Sequence, residues 1–109
     1  MSSTLSGKPV AQLYPSAAVL TTLYTVTDNP SINLTSLIVC NHSGTNDSFR
    51  FAIAIAGEAD ANKQYIYYDM VVAANDSLRV ELSINVLLNT AIRIYATNGT
   101  LSFSLFGVP

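Results

Sequence analysis

Cys40 and His42 are the residues whose types and spacing come nearest to a reaction centre. Two positions apart on an extended strand, their side chains point to the same face. A cysteine activated by a histidine also needs a group that orients the histidine and donors that stabilise an oxyanion. The sequence carries no signal for either, and this pair falls short of the roughly four ligands of a zinc site. We therefore expect a buried, inert thiol, no metal site and no enzymatic activity.

Two acidic residues of one polar segment, Glu58 and Asp60, raise the question of a calcium site. Calcium takes about six to eight oxygen ligands, usually from a loop with a regular run of acidic and amide side chains. The chain has no such loop. The sequence therefore predicts no cofactor, and calcium at these two acids stays an open alternative.

Three tyrosines, Tyr65, Tyr67 and Tyr68, suggest stacking on a sugar ring. Adjacent residues of a strand point to opposite faces, so Tyr67 and Tyr68 cannot belong to one platform. Packing in the core and at interfaces is the favoured use of these rings. Glycan binding is the alternative.

The composition of the 109 residues sets limits on function. Half of the residues are hydrophobic, 11% are charged, and the net charge is −2. The length suits one domain, and no apolar run approaches the roughly 20 residues that cross a bilayer. Because residues 1–12 lack the apolar stretch of a signal peptide, we expect assembly in a cytoplasm and no membrane partner. So low a charge is typical of a surface that other proteins cover. A nucleic-acid partner is not expected, because the basic residues are few and scattered: Lys8, Arg50, Lys63, Arg79 and Arg93.

Residues 34–57 form the centre of the predicted fold. The apolar run at residues 37–40 is typical of a strand in the middle of a sheet, covered on both faces. Residues 42–47 are rich in turn-forming types, which predicts a β-hairpin between this strand and the next. In that next strand every second residue is large, apolar and expected to face inward: Phe49, Phe51, Ile53 and Ile55.

Five further segments have the composition or alternation of strands, and the spacing of about 8 to 12 residues is that of a sandwich or barrel. Asn98-Gly99 predicts a type I′ hairpin turn before the last strand. We therefore predict an all-β fold, a single-domain antiparallel β-sandwich of about seven strands, jelly-roll-like. Residues 1–12 are predicted to be an extended arm outside the sandwich domain of residues 13–109. The further strands are expected at residues 18–27, 65–72, 78–85, 91–97 and 101–105.

The strand patterns and turns resemble those of small accessory structural proteins of tailed bacteriophages, of the head decoration or cement type. The stretches that carry the resemblance are residues 20–26 (LTTLYTV), 35–41 (TSLIVCN), 48–57 (SFRFAIAIAG), 63–69 (KQYIYYD), 74–78 (ANDSL) and 92–107 (IRIYATNGTLSFSLFG).

The resemblance implies a virion protein that is assembled in the host cytoplasm and stabilises the assembled head. Its implied partners are the major capsid protein or another virion protein, and copies of itself, with a homotrimer favoured. It carries over no catalytic, cofactor or metal residues. The alternative is a tail- or fibre-associated, lectin-like module that contacts host glycans.

Overall fold

The computed structural model describes residues 8–27 and 29–109. In these ranges no helix is long and apolar enough to span a membrane. Two short 3₁₀ helices, Ile55–Gly57 and Asn62–Gln64, lie between the fourth and fifth strands. The strands are β1 (Lys8–Leu13), β2 (Thr21–Thr25), β3 (Ser31–Asn41), β4 (Asp47–Ala54), β5 (Tyr65–Val72), β6 (Ser77–Leu87), β7 (Ala91–Ala96) and β8 (Leu101–Val108).

The strands form two four-stranded antiparallel sheets that pack face to face. The first sheet has the order β1-β8-β3-β6, and the second has the order β2-β7-β4-β5. Each strand of the first half pairs with its counterpart in the second: β1 with β8, β2 with β7, β3 with β6, and β4 with β5. A long antiparallel hairpin rolled into two layers gives this order, which is that of a jelly roll. The predicted fold class is confirmed.

The hydrophobic core lies between the two sheets. Phe49 of β4 meets Phe103 of β8 across the sandwich, edge to face, with ring centroids 6.0 Å apart. The alternation predicted for β6 is also present, since Val80 and Val86 are buried and Ile84 packs against the core. These inward rows account for the driving force of folding, because burial of apolar area is its main favourable term.

The predicted central hairpin is wrong. β3 lies inside the first sheet, as expected of a middle strand, but β4 lies in the second sheet. The residues between them therefore cross from one sheet to the other. Each strand has an apolar inward face, and the two faces bury most area when they oppose each other. The outer face of β3 is also less covered than predicted, because Ile38 and Cys40 are only half-buried.

The predicted type I′ hairpin at Asn98-Gly99 is wrong for the same reason, since β7 and β8 belong to different sheets. Of the two residues only Gly99 has a positive φ, +73°. A Cβ at this position would lie 2.8 Å from the backbone nitrogen of Ala17. Glycine is required here by the tight crossover and by the close approach of the segment before β2.

The inward row of β4 is shorter than predicted. Phe49 and Phe51 are fully buried, and Ile53 packs against the core while remaining half-buried. Ile55 lies beyond the end of the strand, in a 3₁₀ helix, and is 67% exposed. The expectation that Ile55 faces inward is wrong because the alternation of apolar residues continues past the point where pairing stops.

The predicted arm is in part a strand. β1 pairs with β8 along its length, with Gln12 opposite Ser104, so residues 8–12 belong to the sandwich rather than to an arm. The segment has no alternation that would reveal this. Its pairing uses backbone groups at the edge of the first sheet, where Pro9 is tolerated because edge strands can lack an N–H. Residues 1–7 of the predicted arm lie outside the described residues.

Candidate functional site

His42 contacts side chains of other segments of the chain, Ser102 and Tyr14. The imidazole of His42 lies 2.9 Å from the Ser102 hydroxyl through Nε2, and Tyr14 packs edge-on against the ring, with centroids 5.4 Å apart. A serine–histidine pair needs nearby N–H groups that can stabilise an oxyanion. Ser102 lies in β8 and is opposite Cys40 in the ladder between β8 and β3. The contact holds the end of β3 against β8.

The acids of the loop between β4 and β5 are paired with basic side chains. Nη1 of Arg93 donates a hydrogen bond to Oδ1 of Asp60 at 2.7 Å. The same nitrogen also donates to the backbone carbonyl of Glu58 at 2.8 Å. The carboxylate of Glu58 lies 3.5 Å from Lys63. Among residues 8–27 and 29–109 no group of three or more histidines, cysteines or acids is placed to hold a metal ion. The loop is thus fastened over the outer face of the second sheet.

The tyrosines of β5 divide between the two faces of the second sheet. Tyr67 points inward, with its ring 6.4 Å from Phe49 and 6.3 Å from Phe51, while Tyr68 is 56% exposed. The prediction that Tyr67 and Tyr68 do not share a platform is confirmed. Tyr65 and Tyr68, however, contact each other at 5.0 Å. Two residues three positions apart point to opposite faces of a regular strand. Here the pairing register between β4 and β5 shifts, and this irregularity brings the two rings to the same face.

A cluster of aromatic and charged side chains covers this outer face. The guanidinium of Arg50 lies 4.1 Å from the ring centroid of Tyr68 and 4.3 Å from that of Tyr95. Its Nε donates to Asp69 at 2.7 Å. That hydrogen bond raises the pKa of Arg50, so the cation is permanent. We call Arg50, Tyr65, Tyr68, Asp69 and Tyr95 the Arg50 cluster. No local sequence pattern indicates this cluster, because Arg50 and Tyr95 come from different strands.

An apolar surface occupies the end of the sandwich where β4 and β6 finish. A groove of about 280 Å³ opens there. At this end of the sandwich Ile55 is 67%, Leu87 63% and Leu88 45% exposed. We call these three residues and the groove the apolar end. Apolar side chains that line the groove are Ile53, Ile55, Ile84, Val86 and Leu87.

The opposite end of the sandwich is held by buried polar groups. Asp47 is 3% exposed and accepts hydrogen bonds from the backbone N–H groups of Ser48, Asn98 and Thr100, at 2.7 to 3.1 Å, and from the Thr100 hydroxyl at 2.8 Å. Burial alone raises the pKa of Asp47, but these hydrogen bonds outweigh it and lower the pKa below its ordinary value. The amide of Asn41 donates to the carbonyls of Thr45 and Val72. The two side chains together join three crossovers between the sheets.

No protein-family model matches the chain, and no curated protein matches it as a relative. The fold and its surfaces therefore carry the functional argument. At the end of the sandwich that contains Asp47 and Asn41, the buried polar side chains are used in internal hydrogen bonds. The apolar end and the Arg50 cluster present exposed side chains to the surroundings.

Proposed function

We propose that the chain is a structural virion protein of a tailed bacteriophage, of the capsid decoration or cement type, that binds and stabilises the assembled head. The apolar end is the observation that carries this proposal. Ile55 and Leu87 line an apolar groove and Leu88 is exposed next to Leu87, in a chain of which only 11% is charged. Exposed apolar patches beside a groove mark protein interaction sites.

Burial of these side chains supplies the affinity for a partner. Covering one large aliphatic side chain contributes about 1.5 to 3 kcal/mol. Three such residues and the groove offset the cost of immobilising the protein on a larger particle. The fold is compatible with this role but does not decide it, because jelly rolls occur in capsid proteins and in lectins. The proposed partner is the major capsid protein or another virion protein.

Leu87→Asp should weaken binding to phage heads by about a hundredfold or more, because a carboxylate would be buried in an apolar contact. Co-sedimentation of purified protein with heads that lack it measures this. Val19→Asp is the matched control, since Val19 is 51% exposed and follows Ala18, whose N–H donates to the Ala96 carbonyl at the opposite end of the sandwich. Equal binding by wild type and Leu87→Asp would refute a role for the apolar end.

We also propose that the protein forms a homo-oligomer, with a trimer favoured by the resemblance to decoration proteins. Among the described residues, the edge strands β1, β6, β2 and β5 have one side without a partner strand, and closed rings of subunits cover such edges. Light scattering at micromolar concentration should give three times the 11.7 kDa mass of the chain. A mass equal to one chain at every concentration up to the millimolar range would contradict the proposal.

A further inference from the structure

We propose that Asn98 is a site of spontaneous deamidation, at which the backbone of Gly99 converts the side-chain amide into aspartate and isoaspartate. Asparagine is a thermolabile residue, and its reaction with the next residue depends on how closely the two groups approach. Asn98-Gly99 is the one Asn-Gly pair of the 109 residues. It lies in the crossover between β7 and β8, so the inference does not depend on the proposed role in the capsid.

The reaction needs these two residues and water. The backbone nitrogen of Gly99 attacks Cγ of Asn98, the bond from Cγ to Nδ2 breaks, and Nδ2 leaves as ammonia with the proton of the Gly99 N–H. The product is a succinimide ring. Water then opens the ring at one of its two carbonyl carbons, which gives either aspartate or isoaspartate. In isoaspartate the main chain runs through the side chain and is one carbon longer.

The structure leaves both reacting groups open. Asn98 is exposed, and its side-chain amide makes only a long hydrogen bond within residues 8–27 and 29–109, from Nδ2 to the Asn46 carbonyl at 3.4 Å. In the same ranges no acceptor lies in hydrogen-bonding geometry to the Gly99 N–H. Hydroxide can remove the proton of an N–H that has no acceptor, which makes the nitrogen a nucleophile.

The fold also requires the glycine that favours the reaction. A side chain on the residue after an asparagine hinders the approach of its nitrogen to Cγ, and glycine has no side chain. Gly99 has φ +73°, and a Cβ there would lie 2.8 Å from the backbone nitrogen of Ala17. A less reactive residue at this position would therefore strain the crossover. The residue that the packing requires is the one that promotes deamidation of Asn98.

Two other asparagines, Asn85 and Asn89, have surroundings that oppose the same reaction. Asn85 lies in β6, which pairs with β3, and its amide donates a hydrogen bond at 2.7 Å. The N–H of Thr90, which would have to attack Asn89, donates to a backbone carbonyl at 3.1 Å. The residues that follow these asparagines, Val86 and Thr90, are β-branched and crowd the backbone nitrogen.

Deamidation should loosen the end of the sandwich that contains Asp47. The Asp47 carboxylate accepts hydrogen bonds from the N–H groups of Asn98 and Thr100, at 2.8 and 3.1 Å. Isoaspartate inserts a carbon into the main chain between these two donors, and hydrogen bonds weaken steeply when distance and angle change. We therefore expect the isoaspartate form to unfold at a lower urea concentration than the unmodified protein.

Peptide mapping of the full chain after incubation in mildly alkaline buffer tests the site. Trypsin cleaves after Arg93, and the peptide of residues 94–109 contains Asn98 as its one asparagine. We expect this peptide to give two products with a carboxyl group in place of the amide, one of them a substrate of isoaspartate methyltransferase. The peptide of residues 80–93, which contains Asn85 and Asn89, is the internal control and should react at least about tenfold more slowly. Asn98→Gln keeps an amide that would have to form a larger ring, and it should not react.

Three outcomes would count against the proposal. The site is refuted if peptide 94–109 from the folded chain stays unchanged under conditions that convert the same peptide incubated alone. It is also refuted if residues 80–93 lose ammonia as fast as residues 94–109. An isoaspartate form, separated by ion exchange, with the urea midpoint of the unmodified chain would refute the link to Asp47.

Discussion

Phe51→Ala should lower the free energy of unfolding by about 3 to 5 kcal/mol, the range for truncation of a buried aromatic side chain. Phe51 is fully buried in β4 and contacts the ring of Tyr67. Its loss removes apolar contact and leaves a cavity that the surrounding strands cannot close without breaking their ladders. A urea titration followed by circular dichroism measures the effect.

Arg50→Ala is the neighbouring control on the opposite face of the same strand. Its stacking and its ion pair lie at the surface, where such contacts contribute about 1 kcal/mol or less. Similar losses in the two variants would mean that the inward face of β4 is assigned incorrectly. A large loss in Phe51→Ala alone supports the assignment.

Asp47→Ala should cost about 3 kcal/mol or more, because hydrogen bonds to a charged group contribute about 1.5 to 3 kcal/mol and orphaned buried donors are penalised further. The substitution leaves the N–H groups of Asn98 and Thr100 without their acceptor at the junction of two crossovers. Chemical unfolding at neutral pH measures the loss.

Asp76→Ala is an unusually close control for Asp47→Ala. Both acids stand in the middle of the same tripeptide, Asn-Asp-Ser, at residues 46–48 and 75–77. Asp76 is exposed, and its side chain accepts one hydrogen bond from the described part of the chain, from Ser77 N–H at 2.8 Å. We expect its replacement to cost about 1 kcal/mol or less. Equal costs at the two positions would contradict the role assigned to Asp47.

The contribution of Asp47 should also depend on pH. Its pKa in the folded protein lies below the ordinary value of 3.8, so its carboxylate stabilises the fold above that value. This contribution is lost as the pH falls through the lowered pKa. The difference in stability between wild type and Asp47→Ala should therefore be full at neutral pH and shrink below about pH 4. A difference that stays constant from pH 7 to pH 2 would contradict this.

The positions and inward faces of most strands follow from the sequence. The alternation of Leu78, Val80 and Leu82 in β6 predicts the face that packs on the core, and the aromatic, β-branched segment at residues 65–72 coincides with β5. Both are local properties, because the pleat of a strand sends successive side chains to opposite faces. The all-β class follows from the same patterns. β1 lacks such a pattern, and only its pairing with β8 shows it to be a strand.

The pairing of strands and the position of each surface group depend on the tertiary structure. The alternation of apolar residues shows that a strand has an apolar face, but it does not show which strands pair with it or pack on it. The sequence therefore predicts hairpins after β3 and β7, where the chain crosses between the sheets. The two Asn-Asp-Ser tripeptides are locally equivalent, and only the convergence of three crossovers buries Asp47 and leaves Asp76 exposed. Arg50 likewise meets Tyr68 and Tyr95 because β4 lies between β5 and β7. Burial of apolar faces between two sheets selects these long-range neighbours, and a local sequence pattern contains no information about them.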